Sequence, residues 1–311
     1  MKNPVLARHQ RQAEDGIAKM REIVDGLSAA RSTVVGLNGS YARREVTSGS
    51  DVDLFVFVDD EKDIEGGHEV LNALKAELKQ AGFKLASVGG VFDQPLAMRN
   101  LCTTIGGMAD GNTLITRRML LLLEGEWLNN QGNFETAKAD LIKRYVSDRI
   151  RDDQIALFLL NDVIRYWRTI CVDYEHKIGQ GKAAEIRLLK LRFSRMLLYM
   201  GGIVAVGETY GIAGAEKRKV LLNLLTLPPA ERIAAVLGER ADGALEIYAE
   251  FLEAIDNSQT RTILSAERSL GDYSEEYQRL RTRAKDFRTA LRDALEARFP
   301  DPHPLLHSML L

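Results

Sequence analysis

The stretch GLNGSYARREVTSGSDVDLFVFV, residues 36–58, places two aspartates one residue apart at the head of an otherwise apolar, β-rich run. Side chains alternate faces along a strand, so Asp51 and Asp53 project from one face and converge. Like charges that close repel, and the pairing becomes favourable when a divalent cation sits between them; hard carboxylate oxygens suit magnesium. Upstream, Val34 to Leu37 reads as a short strand ending in the turn formers Asn38 and Gly39. A residue without a side chain there lets phosphate approach the backbone, and the Ser40 hydroxyl adds a hydrogen bond. Taken alone, Asp-x-Asp is more often a solvated sheet face and Gly-Ser a plain turn. Here strand, Gly-Ser, ten residues and Asp-x-Asp opening a second strand occur in order, which points to a phosphate-and-metal site.

Outward from this stretch, Ile17, Met20, Ile23, Val24 and Leu27 fall at helical spacing and predict an amphipathic helix over 14–30. The strand Val52 to Val58 is followed by DDEKDIEGG, which reads as a surface loop, then by a helix marked by Leu71, Leu74 and Leu78 that stops at Gly82. Phe83 to Val91 predicts another strand, so the first third alternates as a small α/β domain does. From about Thr116 helical periodicity dominates, with strong helices over 152–174 and 183–200 and a proline-initiated helix after Leu227-Pro228-Pro229. FPDPHP stops the last helix and predicts an extended tail. The expected fold class is α+β: an α/β domain with a small mixed sheet over 1–130, followed by an all-α helical bundle over 131–311.

Composition bounds the rest. The 311 residues suggest about two domains, and a formal net charge of -2 gives no global reason to expect nucleic-acid or membrane binding. Cys102 and Cys171 are the only cysteines, without disulfide-framework or zinc-site spacing, which favours a reduced, cytoplasmic setting. MKNPVLARHQRQAEDG lacks the apolar segment of a signal peptide, and Met119 to Leu123 is too short to span a bilayer.

The Gly-Ser and Asp-x-Asp constellation resembles the nucleotidyltransferase superfamily that includes DNA polymerase β, and GSYARREVTSGSDVDLFVF is most similar to its PII-uridylyltransferase group. Gly39, Ser40, Asp51 and Asp53 match the motif one for one, Arg43 stands at a common arginine position, and Arg44 stands where members often have glycine. A looser similarity extends through ADGNTLITRRMLLLLEGEWL. The resemblance implies that Asp51 and Asp53 hold two Mg²⁺ ions against an NTP, with a third carboxylate from a neighbouring strand. Asp93, directly after the Phe83–Val91 strand, is the preferred candidate; Asp110, before the turn-forming Gly111, is the rival.

In IRLLKLRFSR, residues 186–195, Arg187, Lys190 and Ser194 share a helical face uninterrupted by acids. The resemblance implies that Lys190 and Ser194 contact the outer phosphates; the plain alternative is a solvated basic face. Phe158, Tyr166, Trp167 and Ile170 read as helical core rather than a base-stacking platform. The function implied is transfer of a nucleoside monophosphate from an NTP to an acceptor hydroxyl on a protein, nucleotide, RNA or small molecule. A catalytically silent nucleotide-binding regulator that contacts a partner through its helices is the alternative. No basic-aromatic series supplies a track for nucleic acid.

Overall fold

The computed structural model describes residues 3–86, 94–179, 184–266 and 271–310. The chain divides into two compact units, Arg8–Ser147, and Met1–Ala7 with Asp148–Leu311.

The first unit is built on a mixed sheet. Strand β1 (Val34–Asn38) lies antiparallel to β2 (Asp53–Val58), with Asn38 opposite Asp53, and two short strands complete the order β3-β2-β1-β4: β3 (Leu96–Ala97) parallel to β2 and β4 (Glu126–Trp127) antiparallel to β1. Alternation sets the two faces. Val35 and Leu37 of β1 and Leu54 and Val56 of β2 bury against Ile17, Met20 and Val24 of helix α1 (Pro4–Gly26) and Leu71, Leu74 and Leu78 of α3 (Ile64–Gln80). Asn38, Asp53 and Phe55 therefore belong to the other face. There Phe55 stacks on Phe134 of α6 (Gln131–Tyr145) with ring centroids 6.1 Å apart. Gly36 makes room for this packing, since a Cβ on it would lie 2.1 Å from the Phe55 ring and 2.6 Å from the Glu126 carbonyl.

Several elements depart from sequence expectation for identifiable reasons. Helix α1 starts ten residues before the expected position because Asn3 Oδ1 accepts the amides of Val5 (3.0 Å) and Leu6 (3.3 Å) and Pro4 presets the first turn. The tract read as the loop DDEKDIEGG already enters α3 at Ile64; Gly67 is a packing site, its hypothetical Cβ 2.8 Å from Pro95 and 3.0 Å from Val58. Of the Phe83–Val91 strand, Leu85 forms a parallel bridge to Val52, and residues 87–91 lie outside the described residues.

In the second unit, α7 (Leu157–Gly179) starts later than periodicity suggests. The preceding carbonyls are otherwise engaged: buried Lys217 Nζ donates to Asp152 O (3.1 Å), Gln154 O (2.7 Å) and Thr209 O (2.6 Å). The helix expected over 183–200 is α8 (Ala184–Lys190), a π-helical turn at Leu191–Arg195, and α9 (Met196–Gly207). Helix α10 (Gly214–Thr226) precedes α11 (Pro229–Leu237), which carries proline in its first turn. The core stacks Phe193 on Phe251 of α12 (Asp242–Asp256) at 4.3 Å and on Phe287 at 5.2 Å. Helix α13 (Ser258–Ser265) precedes the long α14 (Glu275–Arg298) that carries Phe287. Tyr166 is buried and Trp167 stacks on Tyr199 at 5.1 Å, whereas Phe158, expected in the core, is 45% exposed. The C-terminal segment is not an extended tail: Leu305–Ser308 is helical, and Phe299 and Leu305 are buried over Gly207.

Candidate active site

Strand β1 delivers the chain to Gly39 in a left-handed conformation, φ +75°. The short helix Gly39–Ala42 (α2) follows, and a turn closed by Ser50 N to Thr47 O (2.9 Å) and Thr47 N to Ser50 Oγ (2.9 Å) returns the chain to Asp51. These turns are what the ten residues between Ser40 and Asp51 accomplish. Asp51 stands just before β2 in an extended segment fixed by Val52 N to Lys84 O (2.8 Å), so it shares the Asp53 face. Asp51 makes no hydrogen bond or ion pair among the described residues, and the half-buried Ser40 hydroxyl likewise has no protein partner there.

Gly39 proves to be required by Asp53. A Cβ on residue 39 would lie 2.1 Å from Asp53 Oδ2, so only a glycine backbone seats that carboxylate against the strand end. The Gly39 amide points elsewhere, donating to Glu124 Oε1 at 2.9 Å. Glu124, whose side chain is fully buried, also receives Arg43 Nη1 at 2.6 Å, and Arg43 pairs with Glu45 as well. Arg43 is thus 9% exposed and held between two carboxylates, bracing the Gly-Ser turn. Arg44 adopts φ +61°, the conformation that explains glycine in the related motif. Its Nη1 donates to the Ala42 carbonyl (3.1 Å) and its Nη2 to Glu126 Oε2 (2.7 Å), while Arg21 holds Glu126 Oε1 (2.7 Å) and lies 3.5 Å over Trp127. Sequence reasoning missed Glu124 and Glu126; their signal is a pair of acids around Gly125, directly after an apolar helix.

Residues 17–90 match the family model of the nucleotidyltransferase domain, a span that contains Gly39, Ser40, Asp51 and Asp53. This part of the chain is a nucleotidyltransferase domain. No curated protein matches the chain. Nucleotidyltransferase domains act as transferases of nucleoside monophosphates, and an NTP is the substrate the domain implies.

Asp93 lies outside the described residues. Asp110 is 2% exposed and its carboxylate is engaged by Arg118 Nη2 (2.8 Å), Arg118 Nη1 (3.2 Å) and the Gly106 amide (2.8 Å). Arg118, in the helix Asn112–Leu123 (α5) that follows the short α4 (Met98–Thr103), in turn donates Nε to Tyr145 Oη at 2.7 Å, so the Asp110–Arg118 pair ties α5 to α6. Lys190 and Ser194 belong to the helical unit; Ser194 is 4% exposed and its hydroxyl is 3.1 Å from that of Tyr248.

The residues fit a divalent cation. Asp51 and Asp53 supply hard oxygen donors on one face, and Asn38 Oδ1, on the same face opposite Asp53, is buried without a hydrogen-bond partner. Among the described residues no cluster of three or more His, Cys, Asp or Glu side chains forms a metal cage.

Proposed function

We propose that the protein transfers the nucleoside monophosphate of an NTP to an acceptor hydroxyl, with Mg²⁺ and with release of pyrophosphate. The observation that carries this reading is the strand end at which Gly39 admits the Asp53 carboxylate while Asp51 joins it on the same face.

Asp51 and Asp53 hold the ions, and Asp93 is the proposed third carboxylate. Mg²⁺ held there would supply acidification of the acceptor hydroxyl and neutralisation of charge on the phosphates. The protein's share is positional. Ser40 offers its hydroxyl to a phosphate oxygen, and its orientation depends on a turn braced by Arg43, Glu45 and Glu124. Because Glu124 occupies the Gly39 amide, Ser40 supplies the phosphate contact at this turn.

The test is incubation of the purified protein with each α-labelled NTP, Mg²⁺ and fractionated cell extract. Label should move covalently to one class of acceptor, protein, nucleotide or RNA, with one pyrophosphate released per label. Nucleotide binding without label transfer in any fraction would support the silent regulator instead.

A further inference from the structure

Helix α14 carries two populations of cations. Arg279 pairs with Glu276 at 2.6 Å, Arg283 with Glu250 at 2.6 Å and Asp286 at 3.1 Å, and Arg292 with Asp293 at 2.7 Å. Arg281, Lys285 and Arg288, spaced four and three residues apart on one stripe, have no carboxylate partner among the described residues. That stripe lines a cavity of about 140 Å³ together with Arg192, and Met196 and Ala284 give its apolar lining. Arg192 comes from the π-helical turn Leu191–Arg195, a rare local geometry frequent at functional sites. Its Nη1 donates to Tyr277 Oη at 3.0 Å and its guanidinium lies 5.9 Å from that ring centroid, which fixes one charge at the wall.

Four cations around one small cavity repel one another, and like charges one helical turn apart destabilise a helix. An anion of several charges removes that cost and gains charge-assisted hydrogen bonds from guanidinium groups whose geometry matches phosphate. We infer that this cavity binds the phosphate chain of a compact polyphosphate ligand, such as a nucleotide di- or triphosphate. A nucleic-acid backbone fits less well. The cavity has room for a few phosphate groups, whereas a nucleic-acid strand needs cations spread along its path. The site lies wholly within the helical unit and does not depend on Asp51 or Asp53.

Calorimetric titration of the full chain in EDTA with inorganic tripolyphosphate, and separately with nucleoside triphosphates, tests the inference. The comparison is between a stripe variant, Arg281→Gln with Lys285→Gln and Arg288→Gln, and a control of equal charge loss away from the cavity, Arg279→Gln with Arg283→Gln and Lys219→Gln. The stripe variant should lose about tenfold or more in affinity and the control less than about threefold. Tighter binding of nucleoside triphosphate than of tripolyphosphate identifies a nucleotide; equal binding identifies the polyphosphate alone. Melting temperatures check that both variants fold. Equal losses in the two variants, absence of binding by the native protein, or stripe-dependent binding of a single-stranded RNA in preference to tripolyphosphate would each overturn the inference. The Asp51→Asn, Asp53→Asn protein should bind as the native chain does, so failure of nucleotidyl transfer and failure of this site are separable.

Discussion

Gly39 shows how one missing side chain shapes the site. Its left-handed backbone and its contact with Asp53 make Gly39→Ala a double conflict, with φ at +75° and a methyl group 2.1 Å from Asp53 Oδ2. The expected cost is about 2–3 kcal/mol in denaturant unfolding, with transfer activity lost because Asp53 must move. An alanine variant of native stability and rate would show that Asp53 is not seated there. Glu124 is the second control point. Removing it leaves buried Arg43 without one of its carboxylates and Gly39 N–H without its acceptor. Glu124→Ala should therefore lose about 3 kcal/mol or more of stability. Glu124→Gln, which keeps an acceptor for the amide, should recover part of that loss. Equal stability of both variants and the native chain would remove the brace from the account.

At the scale of elements, the strands around Gly39 and Asp53 were legible because alternation and turn chemistry agree over five and six residues. Strands β3 and β4 have two residues each, too few for any period, so the position of Glu124 and Glu126 beside the Gly-Ser turn was not readable. The Asn3-Pro4 cap was legible in principle and missed, while the late start of α7 depends on Lys217, which is far away in sequence. Asp110 looked like a turn residue or a metal ligand, and its pairing with Arg118 makes it an anchor between helices. Asp110→Asn should lower stability by about 3 kcal/mol while leaving transfer per folded molecule near native; native stability with lost transfer would reverse this assignment. The C-terminal segment carries a pH prediction. Burial, partly opposed by a hydrogen bond to the Gly207 carbonyl, holds the His303 pKa below its ordinary value of 6.5. The unfolded chain then binds a proton more readily than the folded one, so the stability contributed by neutral His303 is present above pH 6.5 and is lost as pH falls through the folded pKa. His303→Gln should flatten the fall of melting temperature below pH 6.5 relative to the native protein; an unchanged pH slope would show that the imidazole does not contribute.

Across the whole molecule, a helix-rich chain confines its paired carboxylates to one sheet face in the Arg8–Ser147 unit and its acid-free cationic stripe to the helical unit. No helix among the described residues is long and apolar enough to cross a membrane. Cys102 and Cys171 are free, and burial raises both thiols above their ordinary pKa, so neither is poised as a thiolate nucleophile. What the molecule offers for chemistry is carboxylate, hydroxyl and a braced turn, the equipment for phosphoryl groups and a hard cation. The most direct test is the rate of label transfer from an α-labelled NTP by the native protein and by purified Asp51→Asn and Asp53→Asn variants, with melting curves run in parallel. Each substitution keeps the side-chain shape and removes the ionised ligand. The account predicts at least about a hundredfold loss of transfer in both variants with near-native melting. Near-native turnover by either folded variant would contradict it.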